Sequence, residues 1–211
     1  CRLPGLEGFI VMTDDAHMPA TQLPRAQSYE SLIANESDEF EWPEFDERLA
    51  SSLCYTSGTT GDPKGVLYSD RSTVLHCYAS ALPDAMSLSA HEVVMPVVPM
   101  FHVNAWGLPY SCAMVGAKLV FPGPKMGDAE TLQRLIEEEG VTFSAGVPTV
   151  WQGLVSYLEK SGKRIDSLTH VLSGGSAVPL ALMNQLRHHH EVEVVHASGM
   201  TETSPIGTIR S

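Results

Sequence analysis

The sequence predicts an α/β fold, a largely parallel sheet with flanking helices. Two patterns carry that expectation: from Leu49 onward, short apolar runs alternate with stretches of helical periodicity, and those stretches have start and stop residues at their ends. A third observation makes it affordable in size, because 211 residues at 43% hydrophobic composition are enough to bury a substantial core.

Residues 1–48 are the least regular, with Pro4, Pro19, Pro24, Pro43 and an acidic stretch over 36–47, and read as a connecting segment. Within them GFIVMT at 8–13 is apolar and β-branched enough for a strand, and 28–34 suits a short helix with Leu32 and Ile33 inward. The strand candidates that follow are 53–56, 93–98, 118–121, 142–145, 170–172 and 192–195. Asp128 is placed to cap a helix whose Leu132, Leu135 and Ile136 form one stripe, with Gly140 as its stop. Pro148 suits a first turn, and Trp151, Leu154, Val155 and Leu158 share a face before Gly162. Pro179 opens a further helix running to about His189. No internal repeat or low-complexity tract interrupts the pattern.

Thirteen Lys and Arg against 25 Asp and Glu give a formal net charge of -12, a field that repels nucleic acid and anionic lipid. A phosphate ligand must therefore be held locally, by backbone amides, hydroxyls, a lysine or a metal. Cys1, Cys54, Cys77 and Cys112 form no CxxC pair and fit reduced thiols of a cytoplasmic protein, with zinc disfavoured. No apolar run approaches the roughly 20 residues of a membrane span, and the amino end lacks a signal pattern. The first residue is Cys1 rather than Met, so a cut chain stays open. His188, His189 and His190 are consecutive, point in different directions on a helix, and suit a helix carboxyl end better than a metal site.

Four segments carry chemistry. The richest is YTSGTTGDPKGV at 55–66, read as a loop between a strand and a helix that begins near Asp70. Its hydroxyls and glycines are suited to phosphate oxygens or a hydrated cation, and Lys64 adds positive charge. Gly58 and Lys64 have the outer spacing of a Walker A loop, yet Pro63 replaces the second glycine and removes an amide donor, and Gly65 replaces the metal-binding hydroxyl. Next comes PMFHVNAWG at 99–107, directly after a strand, with His102 and Trp106 one helical turn apart and so able to share a face. SGGSAVP at 173–179 lies between a strand and a helix, where α/β sheets commonly bind ligands. ASGMTETSP at 197–205 supplies a Thr-Glu pair.

In this order the four segments resemble the acyl-adenylate-forming superfamily of acyl-CoA synthetases, luciferases and adenylation domains of peptide synthetases. The resemblance implies that Thr56, Ser57, Gly58, Thr59, Thr60, Gly61 and Lys64 belong to a phosphate loop, and that His102 and Trp106 line an acyl pocket. It implies that Gly175, Ser176 and Ala177 pack against adenine, with His196, Ala197, Ser198, Gly199, Met200 and Thr201 completing the nucleotide site. Thr56 and Glu202 would hold magnesium, and Lys64, Thr201 and Glu202 would be the catalytic groups, Thr201 at the α-phosphate. Ser198 departs from the pattern, standing where relatives usually have an aromatic that stacks on adenine, and Ala197 stands at the usual glycine.

ATP, magnesium and coenzyme A are the implied cofactors and co-substrates, and a carboxylic acid the implied substrate. Residues 100–107 contain no acid that would hold a substrate ammonium, which favours a fatty acid over an amino acid. FHVNAW, with GVPTVW at 146–151, looks most like medium- and long-chain fatty acyl-CoA synthetases, and similar segments occur in ligases for short sulfur-containing acids. By the resemblance residues 49–211 are the ATP- and acyl-binding part of the family's large domain, 1–48 a connecting part of it, and the lysine-bearing carboxyl-terminal domain lies beyond Ser211. Further expectations are a cytoplasmic enzyme, with a homodimer left open, and an isolated chain that is incomplete for turnover. Two rivals are a nucleotide-binding module without turnover and a P-loop phosphotransferase, the second opposed by the failed Walker pattern.

Overall fold

The computed structural model describes residues 5–58 and 61–210, so Cys1, Thr59, Thr60 and Ser211 lie outside the described residues. It divides into two compact units, Cys1–Phe45 and Asp46–Ser211.

In the first unit β1 (Phe9–Val11) pairs in parallel with β2 (Ala26–Ser28), and α1 (Tyr29–Ile33) follows directly. Ser28 caps α1 by accepting from the Ser31 amide, and Asp15 accepts from the hydroxyls of Ser28 and Ser31, each at 2.5 Å. Those two hydroxyls hold the Asp15 carboxyl below its ordinary pKa. The expected strand and short helix are both present. The inward placement of Ile33 is not, since its side chain is 42% exposed while Leu32 is half-buried. Adjacent helical residues point about 100° apart, and a helix this short buries only one of them.

The second unit opens with a hairpin. β3 (Ala50–Thr56) and β4 (Lys64–Ser69) pair antiparallel, with Thr56 opposite Lys64, and form a two-stranded sheet of their own. This corrects two expectations: 53–56 is not a member of the parallel sheet, and the last residues of the presumed loop, Lys64, Gly65 and Val66, open a strand that runs on to Ser69. Ser69 and Ser72 then cap α2 (Asp70–Ala81) reciprocally, at the start the sequence indicated.

The remaining strands, β5 (Val93–Val97), β6 (Lys118–Leu119), β7 (Phe143–Gly146), β8 (His170–Ser173), β9 (Glu193–Gly199) and β10 (Ile206–Arg210), form one sheet. Its order is β10-β9-β8-β7-β5-β6, parallel throughout except for β10, which pairs antiparallel with β9 and which the sequence did not signal. The crossovers carry α3 (Leu108–Val115), α4 (Ala129–Glu139), α5 (Pro148–Ser161) and α6 (Leu180–His190). Asp128 caps α4 through the Thr131 amide, and Gly140 and Gly162 end α4 and α5 in the left-handed conformation, as their positions indicated.

Strand side chains alternate between two cores. Met95, Val97, Val171 and Val194 pack with Leu132, Ile136, Trp151, Leu154 and Leu186 of α4, α5 and α6. Val94, Phe143, Leu172 and Val195 turn the other way, onto Leu108 and Cys112 of α3. Burial on both faces is why these strands read as continuous apolar runs. It also fixes register, since a one-residue slip would exchange the two cores.

Candidate functional site

A cavity of about 290 Å³ lies at the carboxyl ends of β8 and β9 and beside the end of β3, where parallel sheets leave space for ligands. Thr56 reaches it from the hairpin, Gly174 and Gly175 from the turn after β8, and Ala197, Ser198, Gly199, Met200, Thr201 and Glu202 from the end of β9 and beyond. His102, Val103 and Trp106 enter from the segment after β5, and Leu172, Pro205 and Ile206 complete the wall.

The residues anticipated for acid and for nucleotide thus share one space. Thr56, the Thr201-Glu202 pair, His102 and Trp106 come together from segments far apart in the chain. Ser57, Gly58, Gly61, Lys64, Ser176, Ala177 and His196 stand outside the lining. Thr59 and Thr60 fall outside the described residues. Lys64 is exposed at the first position of β4.

The segment after β5 differs most from expectation. His102 is extended, and then Val103, Asn104, Ala105 and Trp106 all have positive φ, at 52°, 52°, 50° and 57°, followed by Gly107 at 74°. The turn is left-handed, so His102 and Trp106 meet the cavity together, but not through the right-handed helical face their spacing suggested. Each non-glycine residue in this region costs about 1–2 kcal/mol, which the surroundings must offset. Asn104 Nδ2 donates to Ser52 Oγ at 2.9 Å, and the Cys54 thiol lies 3.7 Å from Asn104 Oδ1. Val103 is buried against Cys54 and Tyr68, and Ala105 is fully buried.

Tyr68 was not singled out by the sequence. Its hydroxyl donates to the Thr201 carbonyl at 2.5 Å, tying β4 to the Thr-Glu pair. Burial, with Cys54 and Glu202 adding to it, pushes its pKa up to about 12, so the phenol stays protonated and keeps donating at neutral pH.

One feature favours a phosphate ligand with a hard cation. Thr56 and Glu202 offer oxygen donors from opposite sides of the chain to the same cavity, the chemistry that suits magnesium. At Gly174 the backbone is packed so closely that a Cβ would stand 2.7 Å from the Ala197 carbonyl and 3.5 Å from the Trp106 ring. Only bare backbone fits there, and it brings the turn after β8 against the end of β9 at the cavity wall.

Such a site, with apolar side chains beside hydroxyl and carboxylate oxygens at the carboxyl ends of parallel strands, lies where α/β proteins commonly bind ligands. Residues 9–211 match the family of AMP-binding enzymes, and the chain belongs to that family. It is 53% identical over 206 residues to a medium-chain-fatty-acid–CoA ligase of Ectopseudomonas oleovorans, covering 98% of this chain and 38% of that protein. It is 51% identical over 207 residues to a 3-methylmercaptopropionyl-CoA ligase of Ruegeria lacuscaerulensis, with 98% and 38% covered. Among solved structures, a long-chain-fatty-acid-CoA ligase from Archaeoglobus fulgidus superposes with a TM-score of 0.76 at 28% identity, over 87% of this chain and 38% of that one. The chain therefore spans about 38% of the length of these relatives.

Proposed function

We propose that this chain carries the nucleotide and acyl sites of a ligase that activates a fatty acid with ATP as acyl-AMP and passes the acyl group to coenzyme A. One observation carries the reading: the acyl-assigned His102 and Trp106 open onto the same cavity as Thr56, Thr201 and Glu202. A carboxylate and an α-phosphate must meet for the first step, and this arrangement brings the two ligand classes to one place. Relatives named as CoA ligases support the same conclusion.

In the first step a carboxylate oxygen bonds to the α-phosphorus and pyrophosphate leaves. In the second, the thiol sulfur attacks the acyl carbonyl carbon, the thiol proton is lost, and AMP departs with the bonding pair. Two anions approach in the first step, so orientation and charge neutralisation are the main tasks. Thr56 and Glu202 would hold magnesium, which supplies that neutralisation at the phosphates. Thr201, buried and fixed by Tyr68, offers a positioned hydroxyl for the α-phosphate, and Lys64 would balance charge at the outer phosphates on the hairpin side.

The acid class follows from the wall. Val103, Trp106, Leu172 and Ile206 are apolar, and among the described lining residues Glu202 is the sole carboxylate, already assigned to the metal. No second acid is there to hold a substrate ammonium, which favours an unsubstituted chain. Among the described residues no helix is long and apolar enough to cross a membrane. Buried free thiols at Cys54, Cys77 and Cys112 fit the reducing cytoplasm included in this reading.

The test supplies ATP, magnesium, coenzyme A and a series of fatty acids to a polypeptide of the relatives' full length that carries this chain. AMP and pyrophosphate should appear in step with the thioester. Acid-independent release of ADP would overturn the proposal.

A further inference from the structure

We propose that His76 is a positioning residue for the acyl side of this cavity: its Nε2–H donates to the Trp106 carbonyl and holds the left-handed turn in the arrangement that presents Trp106 to the site. The inference rests on the reading of the site given above and extends it to a residue outside the four sequence segments.

The turn needs such a holder. Val103, Asn104, Ala105 and Trp106 sit in a backbone region that L-residues avoid, and Val103 is β-branched, the type least at ease there. A stretch of this kind persists only where its surroundings over-determine it. Its amino-terminal half is held from the hairpin, by Ser52 and Cys54 on Asn104. The carboxyl-terminal half is held from α2, where His76 Nε2 lies 3.0 Å from the Trp106 oxygen. A carbonyl only accepts, so this contact places the imidazole proton on Nε2.

His76 is suited to that role in three ways. It is 9% exposed, so water competes little for the Trp106 carbonyl. Its burial lowers its pKa, with the Trp106 contact opposing in part, so at neutral pH it acts as a neutral donor. It also packs against bare backbone: a Cβ at Gly107 would stand 2.4 Å from His76 Cδ2 and Nε2, and Gly107 has φ 74°. The imidazole and the glycine fit only as a pair, and together they close the turn.

Thr201 has a tie of its own, the Tyr68 hydroxyl on its carbonyl, which loss of the His76 donor leaves intact although Val103 and Trp106 pack against the Tyr68 cluster. Release of Trp106 should therefore disturb acid binding while leaving Thr56, Thr201 and Glu202 in place. That split distinguishes positioning from a general structural role.

The experiment compares His76→Phe and His76→Gln in a polypeptide of the relatives' full length, measuring the KM for acid and for ATP and the melting temperature. Phe fills the space without a donor, and Gln returns an N–H at about the reach of Nε2. His76→Phe should raise the acid KM roughly fivefold to tenfold, the scale of one lost hydrogen bond, with the ATP KM within about twofold of wild type. His76→Gln should restore most of it. Should His76→Phe fail to fold, Ser52→Ala releases the other end of the turn and should raise the acid KM about twofold to fivefold. An active wild type whose acid KM is unmoved in these variants overturns the inference alone, as does a parallel rise in both KM values that Gln does not rescue. A wild type without acid-dependent turnover overturns the functional reading, and this inference with it.

Discussion

Glu202 takes its proposed role from its neighbours. It is exposed, follows a buried Thr201 whose carbonyl is held by Tyr68, and faces the cavity that Thr56 enters from the hairpin. Glu202→Gln keeps the shape and removes the charge, so the magnesium needed for half-maximal pyrophosphate release should rise roughly tenfold, or ~1.4 kcal/mol. A magnesium titration of wild type and variant checks this, and superimposable curves would move the metal elsewhere. The Thr-Glu pair was legible because it stands in a compact segment with a recognisable pattern. Tyr68 was not, because a tyrosine in an ordinary strand carries no local sign of a contact 133 residues away.

At the scale of elements, what was legible depended on whether the signal is local. Asp128, Gly140, Pro148 and Gly162 mark helix ends by their own backbone chemistry, and each stands at the end it indicated. β4 was hidden because its glycine and lysine continue the composition of the loop before it, and only pairing with β3 makes it a strand. The turn at 103–107 was hidden for a different reason, since spacing assumes the hand of the helix and nothing in VNAW announces the left-handed one. The turn after β8 gives a prediction at this scale. Gly174→Ala would place a methyl 2.7 Å from the Ala197 carbonyl, and the backbone at both positions directly follows the paired residues Ser173 and His196. The ends of β8 and β9 would have to part, at a cost of about 1–3 kcal/mol. Nucleotide affinity should fall roughly tenfold, measured by titration calorimetry, with a loss of only a few degrees in melting temperature. Unchanged affinity would place the nucleotide away from this turn.

Across the whole molecule the parallel sheet was the most legible feature, because double-sided burial writes itself into each strand as an unbroken apolar run. The edges of the sheet were less so: β10 runs antiparallel after a segment whose composition is that of a loop, and the first hairpin stands as a separate sheet. The same architecture bears on what the 211 residues do by themselves. They bring together a carboxylate, hydroxyls and an apolar wall, yet the cavity stays open, with Met200 61% exposed and His102 and Glu202 exposed as well. Water inside an open site screens the charge interactions that the first step depends on, and it leaves the acid free to turn away from the α-phosphorus. Each ~1.4 kcal/mol of lost orientation or charge stabilisation is a factor of ten, so several such losses remove several powers of ten in rate. The isolated chain should therefore bind magnesium-ATP weakly and fail to make acyl-CoA at the rate of a polypeptide of the relatives' full length that carries it. Supplying both with ATP, magnesium, coenzyme A and a fatty acid, and following AMP and thioester, decides the matter. Equal rates would show that the open cavity is already a sufficient active site.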